Sequence, residues 1–496
     1  MESYKTLEKI FYKINDINQA KSVLHWDSAV VMPSGGAEAR ANQLATLSSI
    51  AHAILTDPGV KNLIDSAGSK GKKLNSEQEA NLREMKRLWK HANAVPQRLV
   101  KDLVKEGSNC EMVWRTARAE NNFNMLKPHL KKVVGIVREI AKIKSEAFGC
   151  SPYEALLDQY DPSRKEAQLD AVFEDLKVFI PDFIQQVVEK QKSSHTDIDL
   201  KGPFPIEKQK ILSNKMLEIL GFDLKFGRLD ESHHPFCGGY PSDVRITTRY
   251  NENDFLSSLM SVAHETGHAT YEKNLPSSWI GQPVGEARGM SIHESQSLII
   301  EMQVCRSKEF LEFLVPVIKK ELGIKNKNFT PEGLYQVCTK VQPSLIRVDA
   351  DEVTYPAHIM LRYYMEKYLI SGDMEVDDLP DAWAQGMEKF IGVMPDNDKD
   401  GCMQDIHWMD GTFGYFPTYS LGAIHAAQFF TAIKAATPDL SESLRKGDIS
   451  PVTNWLKTNV HEKGSLLSTE EIVSEATGKS IDLDVYKNYL KERYLA

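Results

Sequence analysis

The chain has 496 residues, 42% of them hydrophobic, and a formal net charge of −9 at pH 7 with no block of basic residues. That is ample for a large core, and it argues against nucleic acid or an anionic membrane as a partner. No apolar run reaches ~18 residues, and Met1-Glu2-Ser3-Tyr4-Lys5 lacks the charged-then-apolar layout of a secretory leader, so a cytoplasmic protein without a membrane span is expected.

Cys110, Cys150, Cys237, Cys305, Cys338 and Cys402 are scattered with no C-x-x-C pair, the pattern of reduced thiols and not of a disulfide framework or a Cys-ligated metal. No fixed-period repeat is present, which sets solenoids aside. Over residues 2–24, Leu7, Ile10, Phe11, Ile14 and Ile17 recur at three- and four-residue steps, which predicts an amphipathic helix. His25-Trp26-Asp27 follows, Met32-Pro33-Ser34-Gly35-Gly36 is a break, and a second helix is expected over 37–55. A polar surface loop is expected over 70–75. Helical patterns rich in Leu, Glu, Lys and Ala cover 76–91, 96–117, 123–147 and 165–192, and their charged faces read as solvated surface. Around 193–204 the composition turns polar with Pro and Gly, a possible seam between two halves.

After a helix over 207–220 the pattern changes. His233-His234-Pro235-Phe236-Cys237-Gly238-Gly239-Tyr240-Pro241 is incompatible with regular helix, and residues 243–250 alternate branched apolar with polar side chains as a strand does. An exposed edge strand here would hold an extended peptide through backbone hydrogen bonds.

The next stretch, Ser261-Val262-Ala263-His264-Glu265-Thr266-Gly267-His268-Ala269, reads H-E-x-x-H inside an apolar, helix-forming run with Asn253 or Asp254 as N-cap. Residues four apart share a helix face, so His264 and His268 can reach one tetrahedral ion, and Glu265 flanks the open position as a base. This is a zinc hydrolase signature. The metzincin continuation is absent, because Tyr271 and Asn274 stand where it needs Gly and His. A third ligand must come from a downstream acid. Glu272 points along the same helix, Glu286 lies in a Gly/Pro-rich turn, and Glu294 opens an apolar helix over 291–304, which makes Glu294 the best geometric candidate. Further on, 341–348 looks extended, Asp349-Ala350-Asp351-Glu352 caps a helix over 353–368, and 395–419 is irregular and dense in polar and aromatic residues, as site-lining loops are. A capping box at Ser468-Thr469-Glu470-Glu471 and a helix through Tyr486, Leu490 and Tyr494 close the chain.

Assembled in order, His234-Pro235-Phe236, Asp243-x-Arg245-x-Thr247, His264-Glu265-x-x-His268, His293-Glu294-Ser295-Gln296, Ile346-Arg347-x-x-Ala350-Asp351 and Gly401-x-x-Gln404-Asp405-x-His407-Trp408 closely resemble the thermostable (Taq-type) carboxypeptidase family of zinc metallopeptidases. Asp161-Pro162-Ser163 departs from the Glu-Pro-Gly of that family. The resemblance covers nearly the whole chain. It implies one peptidase body over 1–496, a mostly α-helical saddle related to neurolysin and angiotensin-converting enzyme, with a deep groove between two halves and a small β-sheet beside the zinc helix. It also implies a homodimeric carboxypeptidase of broad specificity that uses Zn2+, with Co2+ able to substitute, and acts on peptides with a free C-terminal carboxylate. His264, His268 and Glu294 become the metal ligands and Glu265 the base. Arg347 and Gln404 fall in motifs that close one end of the groove, and His234 and Arg245 join them as substrate-contacting candidates.

A guanidinium matches a terminal carboxylate bidentately, so Arg347 is the candidate receptor, against an ordinary salt bridge to Asp349 or Asp351. The donor for the oxyanion is open among Tyr415, Tyr419 and His407. His293 reads as a support for the ligands. Two rival readings are an oligoendopeptidase with an open groove and a helical scaffold with a dead or structural metal site; Glu265 argues against the scaffold, because a closed structural site needs a fourth ligand and no base.

Overall fold

The computed structural model describes residues 1–69, 74–194 and 200–496; residues 70–73 of the expected loop and 195–199 of the expected seam lie outside the described residues. Helices dominate. The first runs Glu2–Val30, past the expected end, and keeps His25-Trp26-Asp27 inside it because Trp26 is buried and Asp27 pairs with Arg40 at 2.5 Å on the next helix, Ala37–Leu55. No helix among the described residues is long and apolar enough to cross a membrane.

The β-structure among the described residues is one three-stranded sheet: β1 (Gly227–Glu231), β2 (Cys237–Tyr240) and β3 (Asp243–Thr248), in the order β1-β3-β2. β3 runs parallel to β1 and antiparallel to β2. The strand expected at an exposed edge is therefore the central one, with both sides already paired. Alternation reported its buried face correctly, since Val244 and Ile246 pack into the core with Phe255 and Leu259, but alternation carries no information about neighbours.

Two large cores organise the molecule. In the first, Val133 and Val137 of the helix Phe123–Phe148 and Phe173 and Leu176 of Glu166–Ser194 meet Met360, Trp383 and Trp408 from much later in the chain. In the second, the sheet and Leu259 meet Ile299, Phe310 and Phe429. The helix Pro417–Ala436 belongs to both, giving Leu421 and Ile424 to the first and Phe429 and Ile433 to the second. The first core is therefore completed by residues downstream of the 193–204 stretch, and a cut there does not separate the two cores.

Three helices set the site. The ligand helix Phe255–Lys273 is capped by Asp254, whose carboxylate accepts from the N–H groups of Leu256 and Ser257, both at 3.1 Å. The carboxylate helix spans Gly289–Leu298 and passes into a seven-residue π-helical turn, Ile299–Cys305, where continuous α-helix was expected. Pro417–Ala436 is the third. Gly267 lets the first two touch, for a Cβ on it would lie 2.6 Å from both the Gln296 carbonyl oxygen and Ser297 Cα. Gly422 does the same for the third, since its Cβ would lie 2.7 Å from Glu294 Cβ. Gly267→Ala must push two backbones apart, and overpacking of this kind costs about 1–3 kcal/mol. The expected result is a lower melting temperature together with weaker metal uptake in a chelator competition.

Candidate metal centre and active site

His264 and His268 lie one turn apart on the ligand helix, their ring centroids 4.9 Å apart. Nε2 of His264 is 3.8 Å, and Nε2 of His268 3.5 Å, from one oxygen of Glu294 on the neighbouring helix. The three donor atoms all fall within 4.8 Å of one another. Ligands at ~2.1 Å from a tetrahedral ion are roughly 3.4 Å apart, so this His2Glu set fits a divalent metal with small side-chain adjustment. Of the three acids weighed from sequence, only Glu294 joins the histidines. Glu286 is exposed and stands outside the cluster.

Both histidines are oriented from behind. His264 Nδ1 is 2.8 Å from Glu301, which also holds Arg306 at 2.6 Å. His268 Nδ1 is 2.6 Å from His293 Nδ1, and His293 Nε2 is 2.8 Å from Glu272. With Nε2 of His268 turned toward the ligand cluster, its proton belongs on Nδ1 and is donated to His293, which donates in turn to Glu272. Glu272 thus supports a ligand at one remove. Glu301, seven residues beyond Glu294 and on the same side of the helix, was not foreseen; a buried acid in the apolar run 299–305 was the available signal.

The electrostatics suit ion capture. Burial opposes charge on His264, but Glu294, Glu301 and Glu265 outweigh it and lift the imidazole to about 10. Burial holds His268 down to about 4. Burial would raise Glu294, yet His264 and His268 more than reverse this and keep it at about 2. Glu265, 6% exposed, is pushed up to about 7 by burial, with Glu294 and Glu301 adding and His264 opposing. That value suits a group that must take and return a proton near neutrality.

A second cluster adjoins the first. Arg347 is buried, with Nε and Nη2 on Asp405 at 3.0 and 2.8 Å and Nη1 on the Tyr355 hydroxyl at 2.9 Å. Its carboxylate partner is thus Asp405 and not Asp349 or Asp351; Asp351 instead caps the backbone at Val353 and Thr354. Arg362, fully buried, shares Asp405 at 2.7 Å, so two guanidinium groups face one carboxylate. Gln404 is consumed in holding this pair, accepting from the Arg347 N–H and from Arg362 Nη2, both at 2.8 Å, and donating to the Leu345 carbonyl at 2.9 Å.

Tyr419 lies between the clusters: its ring is 5.3 Å from Tyr415 and 5.9 Å from Tyr355, and the Arg347 guanidinium is 5.5 Å from it. Burial, and then the Glu294 charge, drives the Tyr415 hydroxyl upward, and the Glu294 charge also reaches Tyr419 and Tyr355. Tyr355 was missed because nothing local marks it. His407, 4.5 Å from the Phe416 ring and 5.9 Å from Tyr415, is kept neutral at about 4 by burial, with Arg347 and Arg362 adding and Asp405 opposing. The remaining two candidates lie outside these clusters. Arg245 is bound to Asp243 and stacked 4.4 Å over Trp26, on the sheet face opposite the one Val244 and Ile246 present to the core, and His234 is exposed just before β2, its ring 4.8 Å from His233.

A His2Glu ligand set with an adjacent buried carboxylate is the centre of a metallopeptidase. The profile of the Carboxypeptidase Taq (M32) metallopeptidase family matches residues 6–494. Thermostable carboxypeptidase 1 of Thermus thermophilus is 36% identical over 483 residues, covering 95% of this chain and 94% of that protein, and carboxypeptidase 1 of Bacillus subtilis is 34% identical over 494, covering 99% and 98%. The solved structure of Trypanosoma cruzi metallocarboxypeptidase 1 superposes with a TM-score of 0.98 at 39% identity over 100% of both chains. The chain belongs to the carboxypeptidase Taq (M32) family and is a metallocarboxypeptidase.

Glu301→Gln leaves His264 without its carboxylate and is expected to weaken metal affinity by about 10- to 100-fold, read by competition with a chelator. Because a proton on His264 must leave before an ion binds, metal uptake near neutral pH should release about one proton from His264, and affinity should rise with pH up to about 10. Titration in weak buffer checks both.

Proposed function

We propose that the protein is a zinc-dependent carboxypeptidase of broad specificity that removes the last residue of peptides bearing a free C-terminal carboxylate, with cobalt able to replace zinc. The observation that carries this reading is the Arg347–Arg362–Asp405 group beside the ligand cluster, where two buried cations share one anion. The excess positive charge in a dry site favours one more carboxylate. Nε and one N–H of Nη2 of Arg347 bind Asp405 and one N–H of Nη1 binds the Tyr355 hydroxyl, which leaves a second N–H on each of Nη1 and Nη2 for a terminal carboxylate.

His264, His268 and Glu294 would hold the ion, which when bound would supply Lewis-acid chemistry, acidifying a water toward about 7 and polarising a carbonyl. Glu265 accepts the proton as the water attacks and returns it to the leaving amine. Arg347 fixes the terminal carboxylate, and so the scissile bond, at one distance from Glu265. Tyr415, hydrogen-bonded to Tyr419 and within reach of the Glu294 charge, donates to the oxyanion that forms, and neutral His407 closes the wall beside it. We place the enzyme in the cytoplasm, in keeping with its six free thiols, and assemble it as a homodimer; sedimentation at micromolar concentration should give a mass near twice 56.0 kDa.

The deciding assay compares one peptide as free acid and as C-terminal amide, with Glu265→Gln as control. Release of the last residue from the free acid only, lost in Glu265→Gln, supports the carboxypeptidase; equal cleavage of both at internal bonds favours an oligoendopeptidase, and no cleavage with stoichiometric metal favours a scaffold. Arg347→Met keeps Asp405 paired with Arg362 and should raise KM for free-acid substrate about 10- to 100-fold, the worth of a charge-assisted pair.

A further inference from the structure

Glu366 lies on the helix Tyr355–Ser371 with no exposed surface. Its carboxylate accepts from the Tyr153 hydroxyl at 2.7 Å, Trp408 Nε1 at 3.0 Å and the Gly414 N–H at 3.0 Å. Burial lifts this carboxyl to about 7, against the pull of its three donors and of Arg362. The other titratable groups that feel it are Tyr153 and Tyr160, both pushed up by burial and then by its charge. A buried carboxylate of this kind works against stability, and three neutral donors of the right shape could be served by a cheaper group.

Two of the three donors belong to the loop that carries the site. Arg362, one turn before Glu366 on the same helix, holds Asp405; Glu366 holds Trp408 and Gly414. The loop is thus tied to one rigid helix at three points, with His407 between the first two and Tyr415 directly after the last. Gly414 has φ +88°, and a Cβ there would lie 2.8 Å from the Leu157 N, so the backbone entering Tyr415 is pressed onto the short helix Pro152–Leu157 that carries Tyr153. Tyr415 then packs edge-on against Tyr160, with ring centroids 5.1 Å apart.

We infer that Glu366 is a positioning residue: it fixes the Trp408–Gly414 loop so that the Tyr415 hydroxyl meets the reacting carbonyl. This rests on the reading of Tyr415 as oxyanion donor. Glu366→Gln offers one acceptor oxygen in place of two. With that oxygen toward Trp408, the new amide N–H faces the Gly414 N–H; turned round, it faces the indole N–H. One loop tie is lost in either orientation.

The test measures kcat, KM, zinc content and melting temperature for wild type, Glu366→Gln, Tyr415→Phe, their double variant and Tyr153→Phe. Glu366→Gln should lower kcat by about 10- to 100-fold, the cost of a misplaced donor, with KM and zinc content within about twofold of wild type. The double variant should be no slower than Tyr415→Phe, and Tyr153→Phe, which removes only the donor outside the loop, should stay near wild type. Because the carboxyl is raised from 4.5 to about 7 on folding, its contribution is lost as pH rises through that window. The stability of wild type relative to Glu366→Gln should therefore fall between about pH 5 and about pH 8, a trend that a residue kept for stability would not give. A fast Glu366→Gln beside a slow Tyr415→Phe, or losses that multiply in the double variant, overturns the inference. A Tyr415→Phe enzyme as fast as wild type instead overturns the oxyanion reading, whatever Glu366→Gln does. If Glu366→Gln does not fold, Trp408→Phe cuts one of the same ties and carries the same expectations.

Discussion

The whole arrangement depends on how closely three helices approach one another. His264 and His268 can share an ion with Glu294 only because the backbone of the carboxylate helix lies against Gly267, and that helix is held there because Gly422 accepts the Glu294 side chain on its other side. Any side chain at either glycine would separate backbones that define the ligand distances. The metal site is in this sense a property of helix packing more than of the ligands themselves, and the two cores that meet on Pro417–Ala436 supply the rigidity.

Charge is divided across the site. One side holds Glu265, Glu272, Glu294 and Glu301 around the imidazoles, a set whose net negative charge favours a divalent cation. The other holds Arg347 and Arg362 against the single carboxylate of Asp405. The tyrosines at 355, 415 and 419 lie between, neutral and able to donate. A peptide end carries the complementary order, a carbonyl that gains negative charge on attack and a terminal carboxylate one residue further on. The π-helical turn Ile299–Cys305 contributes to this division by keeping Glu301 within 2.8 Å of His264 Nδ1, one of many cases in which such a turn marks a functional site.

Much of this is legible in the sequence. The four-residue spacing of His264 and His268, the acid at Glu265 beside them and the apolar helix bearing Glu294 follow from helical geometry, and the capping box at Ser468 and the long helices follow from local chemistry. Errors arose where a local pattern had to stand for a neighbour. β3 was read as an edge because alternation describes two faces and no partners. Arg347 was offered acids two and four residues away, whereas Asp405 reaches it from 58 residues on. Asp161, in the stretch that departs from the family pattern, touches no candidate ligand but accepts from Ser291 at 2.9 Å at the start of the carboxylate helix, a contact that no local pattern marks.

By itself the sequence determined the candidate ligand types, their spacing along one helix, the acid that stands beside them and the helical class of the fold, because each is written in residues within a turn or two of one another. Only the tertiary structure decided which carboxylates stand behind the histidines, which acid neutralises Arg347, that Arg245 faces Trp26 and not the metal cluster, and that Glu366 ties down the loop ahead of Tyr415. These are contacts between segments far apart in the chain, and their selection rests on the burial of two shared cores, a quantity that no local window contains.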